Sequence, residues 1–243
     1  MRFVPAVLLA AAFGIYTAES RAAVVVEDPT VVVDASPVSV VGGQTSVVLD
    51  ADALSGAGLD LVGSTFDVIN PGAIPGSLAF GINPRDAATR PTTMKYVPGA
   101  FADTVWGSLE HKGSLFFLDA SMNVVRVGDF TIGFDSERAI GSASGFFVES
   151  NVGLQAKLFD VAGSNLSVDE NPGTVLDIAG DLLVTPELAE VLWNPVLAGA
   201  GVGSFQINAT AVPEVSTLAA CGLVAFGGLL VHRRRRKSQV ITA

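Results

Sequence analysis

Between Ala23 and Ala211 the chain is written as short apolar runs cut by Gly, Pro, Asn and Asp. This patterning constrains the fold more than any other feature, because runs this short with turn residues between them suit strands better than long helices. Strand candidates are Val31–Val33, Ser46–Leu49, Leu59–Val62, Ser114–Leu118 and Asn123–Val127. Further along come Asp129–Phe134, Ser144–Glu149, Leu154–Phe159 and Gly203–Asn208. Some alternate strictly: Phe130, Ile132 and Phe134 face one side, while Asp129, Thr131 and Gly133 face the other. Leu118 to Val124 reads as a hairpin connection. The fold expected is mainly β, an antiparallel β-sandwich or open barrel with one or two short helices.

Two helical stretches interrupt the strands. Thr185 to Trp193 has Thr as N-cap, Pro186 at the first helical position and Glu187 in the first turn. Asp50 to Leu54 begins in a similar way. A strand, short helix, Gly-rich turn and strand occur at residues 47–68 and again at 182–207, an echo we read as coincidence. Residues 71–98 hold five of the 12 prolines and predict a long irregular or extended segment. Residues 205–214 read as a spacer following the domain.

The two ends are a different kind of sequence. Arg2 precedes the apolar run Phe3–Ile15, and Ser20 and Ala22 are spaced for signal peptidase to cut after Ala22, so residues 1–22 read as a secretory signal helix. At the other end, Val215–Val231 carries no charge and His232 leads into Arg233, Arg234, Arg235, Arg236 and Lys237. Those seventeen residues at ~1.5 Å each give ~25 Å, enough for a transmembrane helix (about 215–232) across a thin bilayer. The basic tail 233–237 holds its own side cytoplasmic and leaves residues 23–211 outside. Cys221, within the run, reads as a small hydrophobe.

Val212, Pro213, Glu214, Ser216 and Thr217, the apolar run and the arginine block occur in an order that resembles the PEP-CTERM sorting signal, over residues 211–237. Val215 stands where that family usually has a second proline. The resemblance implies export by the general secretory route, then recognition of segment 212–243 by an exosortase, a membrane transpeptidase-like enzyme. Cleavage near the Pro-Glu motif would place the body at the cell surface or in an exopolysaccharide matrix. The partners implied are signal peptidase, the exosortase, the cell membrane and exopolysaccharide.

Charge and chemistry narrow what the body does. Between residues 23 and 212 there are seven basic residues against 22 acidic ones, a balance of −15 that excludes nucleic-acid binding. One Cys and two His exclude a disulfide framework and a multi-histidine metal centre. Gly141-Ser-Ala-Ser-Gly145 puts Ala143 where a nucleophile elbow needs serine, and Gly199–Gly203 lacks the setting of a dinucleotide loop. Asp50, Asp52, Asp169 and Glu170 offer oxygen ligands for calcium, but no twelve-residue loop accompanies them and they read as solvated surface. His111 is the candidate ligand-binding residue. Its run Gly107-Ser-Leu-Glu-His-Lys-Gly-Ser-Leu115 resembles bacterial haem-transport-associated surface domains. That resemblance implies a haem-binding role for His111 alone, because only His111 maps by its local motif and no such motif carries the family's tyrosine over to the nearby Tyr96; a strand-edge histidine bonded to the backbone is the structural alternative.

The sequence therefore predicts an exported, exosortase-sorted surface protein that is not an enzyme, holds no cofactor and serves a structural or adhesive role. The alternatives are a surface domain binding haem or another small ligand through His111, and a carbohydrate-active enzyme drawing on the abundant acids.

Overall fold

A computed structural model describes residues 36–171 and 175–214. The expected strand Val31–Val33, the signal segment 1–22, its cut site Ala22 and the segment from Val215 onward lie outside the described residues. No helix among the described residues is long and apolar enough to cross a membrane.

The architecture is mainly β and antiparallel, as the short apolar runs require. Its strands are β1 (Val38–Leu49), β2 (Leu59–Ser64), β3 (Leu78–Ile82), β4 (Lys95–Tyr96), β5 (Ser108–Glu110), β6 (Ser114–Asp119) and β7 (Val124–Gly128). They continue as β8 (Thr131–Phe134), β9 (Ala143–Ser150), β10 (Val152–Gly153), β11 (Ala156–Ala162), β12 (Ser167–Asn171), β13 (Val175–Val184) and β14 (Gly201–Pro213). Three short helices interrupt them: α1 (Ala51–Gly56), α2 (Phe101–Thr104) and α3 (Pro186–Val191).

A ten-stranded sheet runs β3-β1-β14-β13-β11-β9-β8-β5, with β4 beside β1 and β12 beside β13. Its two ends meet: Ile82 pairs with His111, and Asn83 N–H donates to the Glu110 carbonyl at 2.7 Å. The sheet therefore comes close to a closed barrel, which leaves few free edges. A four-stranded sheet, β10-β7-β6-β2, contributes Leu59, Leu115, Phe117 and Val127 to the same core as Leu158, Ile178, Phe205 and Ile207 of the large sheet. Each of these large side chains contributes about 1.5–3 kcal/mol by leaving water.

Both anticipated helices form where the caps place them. The Asp50 carboxylate accepts from Ala53 N–H at 2.9 Å, and Thr185 Oγ1 accepts from Leu188 N–H at 3.1 Å with Pro186 in the first turn. Thr185 is fully buried and also donates to the Lys157 carbonyl at 2.7 Å, so the cap of α3 is tied to β11.

One expectation is corrected, and one is narrowed to its extended alternative. Residues 205–214 are no spacer: β14 lies between β1 and β13, and its pairing with β1 runs from Gly203↔Leu49 to Pro213↔Val38. Residues 71–98 are not simply irregular: they contain β3 and β4 and bury Phe80, Ile82, Met94 and Tyr96 in the core. Proline spacing hid this, because the prolines at 71, 75, 84, 91 and 98 bracket the strands rather than interrupt them.

Candidate functional site

His111 lies between β5 and β6, at the seam where the large sheet closes. The reversal that follows it needs glycine: Gly113 has φ +111°, and a Cβ there would stand 2.8 Å from Val68 Cγ2. Strand geometry turns His111 inward, leaving it 1% exposed. Its backbone N–H donates to the Phe130 carbonyl at 2.8 Å, and its Nδ1 is 3.2 Å from the same oxygen. A carbonyl only accepts, so Nδ1 carries the proton and Nε2 holds the lone pair. Thr45 Oγ1, 2.7 Å away on β1, then donates to Nε2.

Burial pushes the His111 pKa down to about 4; the Phe130 carbonyl opposes this and the Arg90 charge adds to it. The ring is neutral at ordinary pH. It borders a cavity of about 50 Å³ whose other walls include Phe80, Phe130, Phe159, Leu182 and Phe205. The arrangement offers one basic nitrogen in an apolar chamber, but a ligand atom can reach it only by displacing the Thr45 hydroxyl. Tyr96 does not border this cavity; it packs edge-on against Phe101, centroids 5.2 Å apart, and burial pushes its pKa up to about 12.

Beside His111, around Glu110 at the end of β5, lies a polar cluster the sequence did not reveal. Glu110 takes an ion pair from Arg90 and hydrogen bonds from Thr131 Oγ1 at 2.9 Å and Ser108 Oγ at 2.8 Å. Arg90 holds a positive φ of 50°, and Asn83 Nδ2 donates to its carbonyl at 3.0 Å. The residues come from β5, β8 and the loop before β4, so no local motif announces them.

A second cleft, of about 200 Å³, opens between the two sheets. It is walled by Leu54, Leu59, Phe117, Leu158 and Leu188, with Trp193 among its lining residues. Trp193 is 94% exposed at positive φ, a position no periodicity could identify. The two halves of the sequence echo contribute one helix each, α1 and α3, to this single cleft.

The remaining candidates fall in separate places. Asp50 and Asp52 sit at the start of α1, whereas Asp169 and Glu170 lie on β12, where Glu170 accepts from Gly99 N–H at 2.7 Å. The structure does not bring these four acids together, and no group of three potential metal ligands occurs among the described residues. Val212 and Pro213 end β14 opposite Ser39 and Val38. Glu214 accepts from Ser39 Oγ at 2.5 Å and pairs with Lys95 at 2.6 Å and Arg85 at 3.4 Å. Lys95 and Ser39 hold its carboxyl below the usual carboxylate range. Ser216, Thr217, Arg233, Arg234, Arg235, Arg236 and Lys237 lie outside the described residues.

No family model matches this chain, and no curated protein matches it. Among solved structures, the C-terminal domain of HtaA from Corynebacterium glutamicum is similar over 72% of this chain and 99% of its own, with 12% identity and a TM-score of 0.44.

Proposed function

We propose that the chain is an exported, exosortase-sorted surface protein whose β body serves a structural or adhesive role in the envelope or exopolysaccharide matrix, without catalysis. The observation that carries this is positional: the last strand of the folded body ends inside the Val212-Pro213-Glu214 motif, and the uncharged run and the arginine block come next in the sequence. The body's charge balance of −15 suits a cation-rich extracellular setting.

The test is to follow the tagged full chain in cells with and without an exosortase. Membrane association in its absence, and loss of the C-terminal segment in its presence, support the reading. Identical fractionation of the full chain and a chain ending at Glu214 refutes it.

A second reading, ligand binding at His111 with displacement of the Thr45 hydroxyl, is favoured by the position of Nε2 beside an apolar cavity. Haem is the ligand to test, because histidine nitrogen is a competent axial ligand. A stoichiometric Soret band lost in His111→Ala supports it. A featureless haemin titration refutes it and leaves the histidine as a core residue.

A further inference from the structure

The glutamate of the candidate sorting motif is held by the folded body. Glu214 stands one residue past β14, and its N–H donates to the Pro37 carbonyl at 3.1 Å. Its carboxylate accepts from three side chains that approach from separate parts of the chain. Ser39 comes from β1 and is 2% exposed, Lys95 from β4, and Arg85 from the loop between β3 and β4. Ser39 and Lys95 lie directly opposite each other across the β1–β4 ladder, so their donors converge because the strands are paired. Arg85 and Lys95 are two of only seven cations between residues 23 and 212. Placing both against one carboxylate, in a stretch with 22 acids competing for them, singles out the position where β14 ends.

We infer that Ser39, Lys95 and Arg85 are positioning residues that dock the Val212-Pro213-Glu214 arm on the body and withhold it from a membrane-embedded processing enzyme until the end of β14 peels away. The inference rests on the sorting reading given above. An endoprotease or transpeptidase needs an extended, unpaired segment in its own groove. Here Ala211, Val212 and Pro213 are instead paired with Val40, Ser39 and Val38. Release therefore requires breaking those pairings together with the two ion pairs and the serine hydrogen bond. The groups that face Glu214 are basic or neutral, so raised salt weakens the clamp and speeds release.

The experiment has two arms on the full chain. Reconstituted in lipid nanodiscs, Lys95→Met and the double variant Arg85→Met/Lys95→Met are compared with the parent by amide hydrogen exchange over residues 209–214. Exchange there rises about three- to tenfold, as expected for losing one or two part-exposed ion pairs. Lys95→Arg restores the parent rate. In cells containing the processing enzyme, the processed fraction at a fixed early time rises by a similar factor in Lys95→Met and returns to the parent level in Lys95→Arg. Unchanged exchange overturns the clamp. Faster exchange with unchanged processing overturns the positioning role, because a merely structural contact would behave that way. If the parent chain itself is never processed, the sorting reading fails and this inference falls with it, a failure distinct from the other two.

Discussion

Protonating His111 tests the interior of this fold without altering a residue. In the unfolded chain the imidazole titrates near its ordinary value of 6.5, whereas in the folded chain it does so at about 4. The folded state therefore binds fewer protons between these values, and stability falls as pH falls. Above about pH 6.5 there is no penalty; below about pH 4 it is complete. The interval between the two values, at ~1.4 kcal/mol for each unit, sets the full loss at about 3 kcal/mol, of which about 2 kcal/mol is present at pH 5. The physical cause is a ring with no solvent contact whose Nε2 is already taken by a hydroxyl donor, so an added proton finds no acceptor unless Thr45 rotates. Urea unfolding of residues 23–214 at pH 7.5 and 5.0 measures the loss, and the same pair of curves for His111→Gln removes the contribution of other groups. The parent should lose about 2 kcal/mol more than the variant between the two pH values. Equal losses would show that the imidazole titrates normally and would refute this account of its burial.

Four further outcomes are expected. Arg138 is 14% exposed and bridges Asp160 at 2.8 Å and Glu187 at 2.6 Å, so Arg138→Met should cost about 3–5 kcal/mol by stranding the buried Asp160 carboxylate; urea unfolding should show most of it recovered in Arg138→Met/Asp160→Leu. Thr185→Ala should cost about 1–2 kcal/mol by removing the α3 cap and its bond to β11, with Thr185→Ser close to the parent in the same assay. Gly153→Ala should cost at least about 2 kcal/mol, because φ is +73° and the new Cβ would stand 2.1 Å from the Arg126 carbonyl oxygen; its thermal midpoint checks this. Ending the body at Ala211 rather than Glu214 should lower that midpoint by several degrees, through loss of the last two β1–β14 pairings and the Glu214 contacts.

Much of the fold was legible where local rules and tertiary packing agree. The cap residues Asp50 and Thr185 announced α1 and α3, and the alternation through Phe130 and Ile132 announced β8, although Thr131 and Gly133 on its other face are buried as well and Phe134 is only half-buried. β13 was read only at its end, from residue 182, although it alternates buried and half-buried positions along its length. Its outward residues include Asp177 and Asp181, and Gly180 interrupts its inward face, so propensity argued against a strand. The structure supplies the compensation: Asn208 and Asn165 donate to those two carboxylates, each at 2.5 Å, and a Cβ on Gly180 would come within 3.2 Å of Phe205. None of these partners is local in sequence.

The candidate site shows the same division more sharply. His111 could be singled out by the Gly-x-x-x-His-x-Gly-x-Leu run around it, yet its chemistry is set by residues 19 and 66 positions away, Phe130 and Thr45. The carbonyl fixes the tautomer and the hydroxyl occupies the remaining nitrogen, and no spacing rule could have paired them. Glu214 is the converse case. Its motif reads as a linear sorting signal, a reading that made the residues before it look like a free spacer. β14 instead carries the chain into the middle of the large sheet up to Pro213, and Ser39, Lys95 and Arg85 reach the next residue from three separate segments. Under the sorting reading proposed above, the linear motif would tell a processing enzyme what to recognise, and the strand beside it would govern when that motif can be reached. If the arm is held as the contacts indicate, the limiting event in processing is local opening at the end of β14. The rate of maturation should then follow the stability of that strand end rather than the affinity of the enzyme for the isolated motif.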